Sequence, residues 1–472
     1  MTTMSGKIEQ ADPLSLTHVL GHNASGVWGR QAVKRRPTGR LAIIGDSRGQ
    51  NHIGASAAES ARGPYVLAKW MLSGRLSFNV GTDCVAIGGT QLVDNNGQGM
   101  SALNQYLTYI RPRKDEFDFV AVFAHGNDIT AGGKTAAQIK ADYLTVIAAI
   151  EEDGLRLNLN TDVPLTSSLG YYTAVQHQIN LEVNAWLRET ASRDGDLILI
   201  DAYLAFVDWT GTNAMLGGVG ASPWPYTMDG VHYSPLGALI YARLIVKALD
   251  PLLPREKLIC MMSPVDAYDN ILAPRGSLLG TIGKMSGTGR ALKDPANTAG
   301  SAATGTVATG WRLFKGATDA ITVVGDSSAT RTIYIDGEPI VVPCQKVTVT
   351  AGGSGQQGAT LLTTTELSAG FVAGDKIQIA AYIDVVKLGG VINFGPIIQP
   401  RTGGGLQGVI QAIGGYQSYP LPSGPIARQV ISPILVIPAG TTSIKTYFSC
   451  GVDGATADVE FYVSLVAVRR VY

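Results

Sequence analysis

Three short stretches of the chain hold residue types suited to nucleophilic acyl chemistry. In LAIIGDSRGQ, Ser47 follows a short apolar run. A serine hydroxyl is a poor nucleophile until a base takes its proton. MDGVHYSP offers that base in His232, and Asp229, three residues earlier, can orient the ring and stabilise its charged form. Acyl transfer also needs donors aimed at the oxygen of a tetrahedral intermediate. Asn127, in HGND, has a side-chain amide. Gly89, in VAIGGTQ, has a backbone N–H with no side chain in the way, and the adjacent Gly88 is the alternative. The backbone N–H of Ser47 would be the third donor. Taken singly, Gly-Asp-Ser and an Asp-x-x-His spacing are both commonplace. Their order and their positions at the ends of elements give them weight.

Each of these residues also has an ordinary structural use. Ser47 could cap a helix, His232 could lie on the surface beside a helix start, and Asp229 could form an Asp-Gly turn. Asn127 could stabilise its own turn. Asp46 and Asp128 read as structural, holding loop N–H groups. His125 lacks HExxH and has no His or Cys partner at ligand spacing, so no metal and no cofactor is expected.

The elements that must position these groups are legible in outline. Leu41-Ala42-Ile43-Ile44 is a continuous apolar run that stops at Gly45, as in a strand buried on both faces. Phe117 to Phe123 ends at His125-Gly126-Asn127-Asp128, and Leu197 to Ile200 ends at Asp201. Between them lie helical stretches such as Thr135 to Ile150. Ser234 and Pro235 open a last, largely apolar helix that Pro251 and Pro254 stop. Strands alternating with helices predict a parallel sheet with helices on both faces. Its C-terminal edge is where open α/β folds place ligands.

Beyond about residue 255 the pattern changes. A stretch rich in Gly, Ser, Ala and Thr runs from Ser277 to about Gly305. Short β-rich runs follow at Ile321–Val324, Thr332–Ile335, Lys346–Thr350, Lys376–Val386, Ile431–Ile437 and Val459–Val468. These predict a mostly antiparallel β-sandwich of jelly-roll type, with no fixed repeat period. The expected organisation is an N-terminal arm or adaptor over 1–37, a catalytic α/β domain over 38–255, and the β-sandwich over 256–472, serving carbohydrate binding, oligomerisation or both.

Composition narrows the function class. The 472 residues carry 37 Lys plus Arg against 37 Asp plus Glu, so no basic excess points to nucleic acid. Charged residues are 16%, below the roughly 25% of an average domain. Cys84, Cys260, Cys344 and Cys450 are scattered without a CxxC pair and read as free thiols. The polar N-terminus lacks the apolar core of a secretory signal, and no run reaches the ~18 apolar residues of a membrane span. A soluble protein without membrane insertion is expected.

Gly-Asp-Ser, a following Gly, a Gly-x-Asn-Asp-like block and a C-terminal Asp-x-x-His, in that order, resemble the four blocks of the SGNH (GDSL-like) hydrolase family over residues 40 to about 250. The resemblance implies a three-layer α/β/α domain and a carboxylic ester hydrolase. It implies Ser47 as nucleophile, His232 as base with Asp229 behind it, and Ser47, Gly89 and Asn127 as oxyanion donors. His125 departs from the pattern, standing where the family has its first Gly. Trp224 and Tyr226, in the loop feeding Asp229, could stack on a sugar or simply pack against the domain. The segment TGTVATGWRLFKGATD, around Trp311, loosely resembles the opening strand of jelly-roll modules in phage tail-fibre and tailspike hydrolases.

That resemblance implies a homotrimeric acetylesterase acting on an O-acetylated bacterial polysaccharide (capsule, lipopolysaccharide or exopolysaccharide). It would be located in the virion or outside the cell after lysis. The alternatives are a non-viral carbohydrate esterase or lipase-like enzyme with a targeting module, and a non-catalytic glycan-binding fibre protein.

Overall fold

The computed structural model describes residues 18–22, 28–32, 38–53, 59–60, 62–72, 75–94, 97, 99–164, 172–207, 226–253 and 290–293. In the C-terminal half it describes 303–308, 311–315, 319–335, 338–363, 367–402, 405–406, 410–414, 429–431 and 435–470. Lys34 to Arg36, Cys260, Trp224 and the Ser277 end of the Gly-rich stretch lie outside these residues. The expected boundary near 255 falls at the edge of such a gap.

Two strands, β1 (His18–His22) and β2 (Trp28–Ala32), form an antiparallel pair inside the segment that shows no sequence periodicity. The α/β unit follows, with a four-stranded parallel sheet of β3 (Leu41–Gly45), β4 (Phe119–Phe123), β5 (Arg156–Asn160) and β6 (Leu197–Ile200) in that order. All five residues of β3 and of β4 are buried, as their unbroken apolar runs require. β5 escapes a hydropathy reading because RLNLN places Asn158 and Asn160 inside. Asn158 donates to the Tyr65 hydroxyl at 3.2 Å, and Asn160 accepts from the Tyr241 hydroxyl at 2.7 Å.

Beyond β3 the chain from Ser77 to Ile87 continues the sheet without forming a named strand. Val85 N–H donates to Ile43 O and Ile87 N–H to Gly45 O, both at 2.9 Å. The segments therefore run 77–87, β3, β4, β5, β6 across the sheet. The connections reverse direction between β3 and β4, and a crevice opens there at the strands' C-terminal ends.

Helices cover both faces: α1 (Ser47–Gln50), α2 (Pro64–Met71), α3 (Ala102–Gln105), α4 (Gly126–Thr130), α5 (Ala136–Glu152), α6 (Ala174–Arg193), α7 (Tyr203–Phe206) and α8 (Pro235–Leu249). One core packs α2 and α8 against the sheet, and the other packs α5 and α6. Thr135 and Thr173 open α5 and α6 with capping boxes to Gln138 and Gln176. Ser234 caps α8, and Pro235 takes its first position. No helix among the described residues is long and apolar enough to cross a membrane.

The C-terminal half is mostly antiparallel. One sheet centres on Lys376–Gly389, Asp458–Arg470, Gln345–Thr350 and Thr322–Asp326. The other centres on Val391–Thr402, Ser443–Asp453, Gln356–Thr363 and Trp311–Lys315. Both feed one apolar cluster, bridged by Phe394 and Phe461 with ring centroids 4.9 Å apart. Trp311 is fully buried, 6.0 Å from Phe448, so the run noticed around it is a core strand. The same Phe394 meets Trp70 of α2 at 6.3 Å and joins the sandwich to the α/β unit. Cys84, Cys344 and Cys450 are buried free thiols.

An ionic clamp fixes the loops at the sheet's C-terminal edge. Lys134 Nζ lies 2.6–2.7 Å from carboxylates of Asp94, Asp128 and Asp142. Asp128 is fully buried and also accepts from Leu92 N–H at 3.1 Å. Burial raises its carboxyl above the ordinary value, and Lys134 opposes that rise. Lys134→Met removes the opposing charge, so the carboxyl rises further and its ionised form is penalised. We expect a loss of about 3 kcal/mol at pH 7. The loss shrinks as pH falls and Asp128 takes up a proton. Urea unfolding at pH 7 and pH 4.5 measures both, and an equal loss at the two values contradicts the assignment to Asp128.

Candidate active site

Gly45 ends β3 with φ of +120°, where an added Cβ would lie 1.7 Å from the Phe123 carbonyl oxygen. Only glycine allows β3 to approach β4 this closely at the turn. Gln105, fully buried, accepts from Gly45 N–H at 2.7 Å and donates to its carbonyl at 3.0 Å. Asp46 follows, its N–H donating to Phe123 O at 2.7 Å and its carboxylate accepting from Arg48 N–H at 2.9 Å. Burial pushes the Asp46 carboxyl up to about 6, against the pull of Arg48. This turn lifts Ser47 to the first position of α1, at the crevice.

His232 arrives on a compact loop. Thr227 and Tyr233 form an antiparallel bridge, Met228 N–H donates to His232 O at 2.9 Å, and Ser234 N–H donates to Tyr226 O at 3.0 Å. Within the loop, Asp229 Oδ1 accepts from the N–H groups of Val231 (2.9 Å) and His232 (2.8 Å). Its Oδ2 lies 2.5 Å from His232 Nδ1. The other ring nitrogen, Nε2, lies 2.8 Å from Ser47 Oγ, across 185 residues of sequence. Burial alone would raise the Asp229 carboxyl; hydrogen bonds from the His232 ring, His232 N–H and Val231 N–H outweigh it and bring it to about 2. The carboxylate therefore stays charged wherever the imidazole could take a proton, and it fixes the ring with Nδ1 as donor and Nε2 as acceptor.

The residues expected as oxyanion donors stand on two further loops. Gly88 is the glycine beside Ser47: a Cβ built on it would lie 3.6 Å from Ser47 Cβ, and its N–H donates to Gln50 Oε1 at 3.1 Å. Gly89 adopts a positive φ of 80° next to it. Asn127, in the first turn of α4, donates from Nδ2 to Thr90 O at 3.1 Å and makes a long 3.5 Å contact to Asp46 Oδ2. Thr90 in turn accepts from Gln105 at 3.3 Å. The two loops are thus tied to each other and to the Gly45 turn.

His125, at the family's glycine position, has φ of 35°, the left-handed conformation that favours glycine. It is fully buried, with Nε2 donating to Asn180 Oδ1 (3.0 Å) and Nδ1 accepting from the Tyr143 hydroxyl (2.8 Å). Burial lowers its pKa to about 4, so it is a neutral structural group. Tyr226 packs on Phe206 with ring centroids 5.8 Å apart. Arg48, Gln105, Lys134 and Asp162 organise the site and escaped the sequence reading. Arg48 was visible beside Ser47; the other three lie outside the four blocks.

Ser47, His232 and Asp229 thus form a relay suited to removing a proton from the serine. The chain is similar to a GDSL-like lipase from Bacteroides thetaiotaomicron, at 16% identity over 46% of this chain and 93% of that one, with a TM-score of 0.34. It is also similar to an acetyl xylan esterase (18%, 44% and 99%, TM-score 0.32) and to a carbohydrate esterase family 3 protein from Talaromyces cellulolyticus (17%, 45% and 97%, TM-score 0.31). No curated protein matches the sequence. The family described as GDSL-like Lipase/Acylhydrolase matches residues 41–245. That match spans every element carrying Ser47, Asn127, Asp229 and His232, and it supports placing this α/β unit in the GDSL/SGNH lipase–acylhydrolase family.

Proposed function

We propose that the protein is a serine esterase that removes acetyl groups from an O-acetylated bacterial surface polysaccharide. The observation that carries the reading is the 2.8 Å contact between Ser47 Oγ and His232 Nε2, with Asp229 2.5 Å behind the ring. His232 takes the Ser47 proton as Oγ attacks the ester carbonyl. The tetrahedral oxygen faces the N–H groups of Ser47 and of Gly89 or Gly88, together with the Asn127 amide. Collapse breaks the bond to the sugar oxygen, which takes the proton from His232 and leaves as the free hydroxyl, with the acetyl group on Ser47. Water, deprotonated by the same ring, then attacks that acetyl carbonyl, and collapse releases acetate as Ser47 Oγ takes the proton back from His232.

Gly88 stands beside Ser47 and bonds to Gln50, and Asn127 reaches Asp46, the residue before Ser47; small and polar groups of this kind suit an acetyl group better than a long acyl chain. The β-sandwich and the low charge favour a fibre-borne enzyme, placed in a phage tail fibre or tailspike and assembled as a homotrimer. In this reading the sandwich binds glycan, holds the trimer together or does both.

Ser47→Ala is expected to abolish labelling by a fluorophosphonate and to lower hydrolysis of p-nitrophenyl acetate by roughly 10⁴-fold. Unchanged hydrolysis would place the chemistry elsewhere. Asp229→Asn should lose about 10²- to 10⁴-fold in kcat. Because Asp229 stays ionised down to about 2, the acid limb of the pH–rate profile should survive in that variant. Disappearance of the limb would assign it to Asp229.

On a panel of O-acetylated capsules and lipopolysaccharides, NMR should show acetate release by the wild-type protein and none by Ser47→Ala. Release from simple acetates but from no polysaccharide favours a different substrate, and no release at all favours a glycan-binding role. Sedimentation should give the mass of three chains, and a monomer would remove the trimer from the proposal.

A further inference from the structure

Arg48 follows the nucleophile directly, yet it is only 4% exposed. Its Nε donates to the Val231 carbonyl at 3.1 Å, its Nη1 pairs with Asp162, and its guanidinium carbon lies 5.8 Å from the Tyr233 ring centroid. Val231 and Tyr233 are the two neighbours of His232. One planar cation therefore joins the turn that carries Ser47, the loop that carries His232 and the chain just past the end of β5.

The far end of this link is itself held. Asp162 N–H donates to Asn184 Oδ1 at 2.9 Å, and its carbonyl accepts from Asn184 Nδ2 (2.9 Å) and Asn180 Nδ2 (3.3 Å). Its Oδ2 accepts from the Tyr172 hydroxyl at 3.2 Å. Asn180 also holds His125, which precedes the Asn127 loop. Asp162 is thus anchored to α6, and Arg48 transmits that anchor to both halves of the Ser–His pair.

Stability alone is a poor reason for this arrangement. An apolar side chain of similar volume often replaces a buried ion pair without loss. What the guanidinium provides is donors on separate nitrogens of one rigid plane, Nε toward Val231 O and Nη1 toward Asp162, whereas an ammonium donates from a single nitrogen.

We infer that Arg48 is a positioning residue for ester hydrolysis, holding the His232 loop in register with Ser47 through the Val231 carbonyl and Asp162. The inference rests on the esterase reading above, and the two fail separately. A wild-type protein that neither reacts with fluorophosphonate nor hydrolyses p-nitrophenyl acetate sinks the esterase reading itself.

With an active wild type, Arg48→Lys retains the charge beside Asp162 but cannot also span to Val231. Its kcat per fluorophosphonate-titrated site should fall about 10- to 100-fold, with KM within about twofold. Asp162→Asn should show the same split. In Arg48→Ala, millimolar methylguanidinium should restore part of kcat, and methylammonium should not. If Arg48→Ala does not fold, the Lys and Asn variants decide. Wild-type kcat per titrated site in Arg48→Lys, or rescue of Arg48→Ala by either cation equally, overturns the inference.

Discussion

The site depends on how closely β3 approaches β4 where β3 ends. At Gly45 the backbone turns at φ of +120° with the Phe123 carbonyl pressed against the place a Cβ would occupy. Asp46 N–H then bonds to that same carbonyl. The contact fixes where the chain leaves the sheet, and so where Ser47 stands relative to the crevice between β3 and β4. The other loops are referred to this point. Gln105 clamps Gly45 from both sides and reaches Thr90, whose carbonyl holds Asn127. A side chain at position 45 would move Ser47 and these bonds together.

The crevice itself follows from connectivity. The chain leaves β3 toward the 77–87 edge and returns to β4 on the other side, so two neighbouring strand ends open in opposite directions. Glycine-rich chain after Ile87 and the α4 turn after β4 then flank Ser47 from either side. The His232 loop comes from the end of the domain and is brought over by α8, which packs on α2 and whose Tyr241 bonds β5 through Asn160. Four separate loops meet because the sheet order leaves only one gap for them to meet in.

The sequence is most legible where one physical rule dominates. β3 and β4 are buried on both faces, and their apolar runs say so. α8 announces itself through a Ser cap, Pro at its first position and a proline stop. The Ser, Asn and Asp-x-x-His blocks stand out because acyl chemistry would demand those side chains, and each block falls at the end or start of an element. β5 was missed because its buried asparagines bond to Tyr65, Tyr241 and Val122, partners from three distant segments. The same holds for Gln105, Lys134 and Asp162: a buried polar side chain is worth its desolvation only in the company of its partners, and no local pattern names those. Two strands also appear within 1–37, where short polar-apolar mixtures give no period to read.

The histidines show how environment, rather than residue type, sorts structure from chemistry. His52 and His125 are fully buried, and burial drives both to about 4. Each is occupied on both nitrogens: His52 donates to Gly49 O and accepts from Tyr65 N–H, while His125 lies between Tyr143 and Asn180. Neither ring can accept a further proton without giving up one of these hydrogen bonds. His232 has the opposite setting. Its side chain keeps 28% of its surface exposed, a carboxylate held charged to about 2 stands against Nδ1, and a hydroxyl rather than a backbone group meets Nε2. The ring therefore has an opposite charge on one side and a hydroxyl on the other. Of these three imidazoles, His232 is the one set between a charged carboxylate and a hydroxyl, the arrangement on which the proposed acyl chemistry rests.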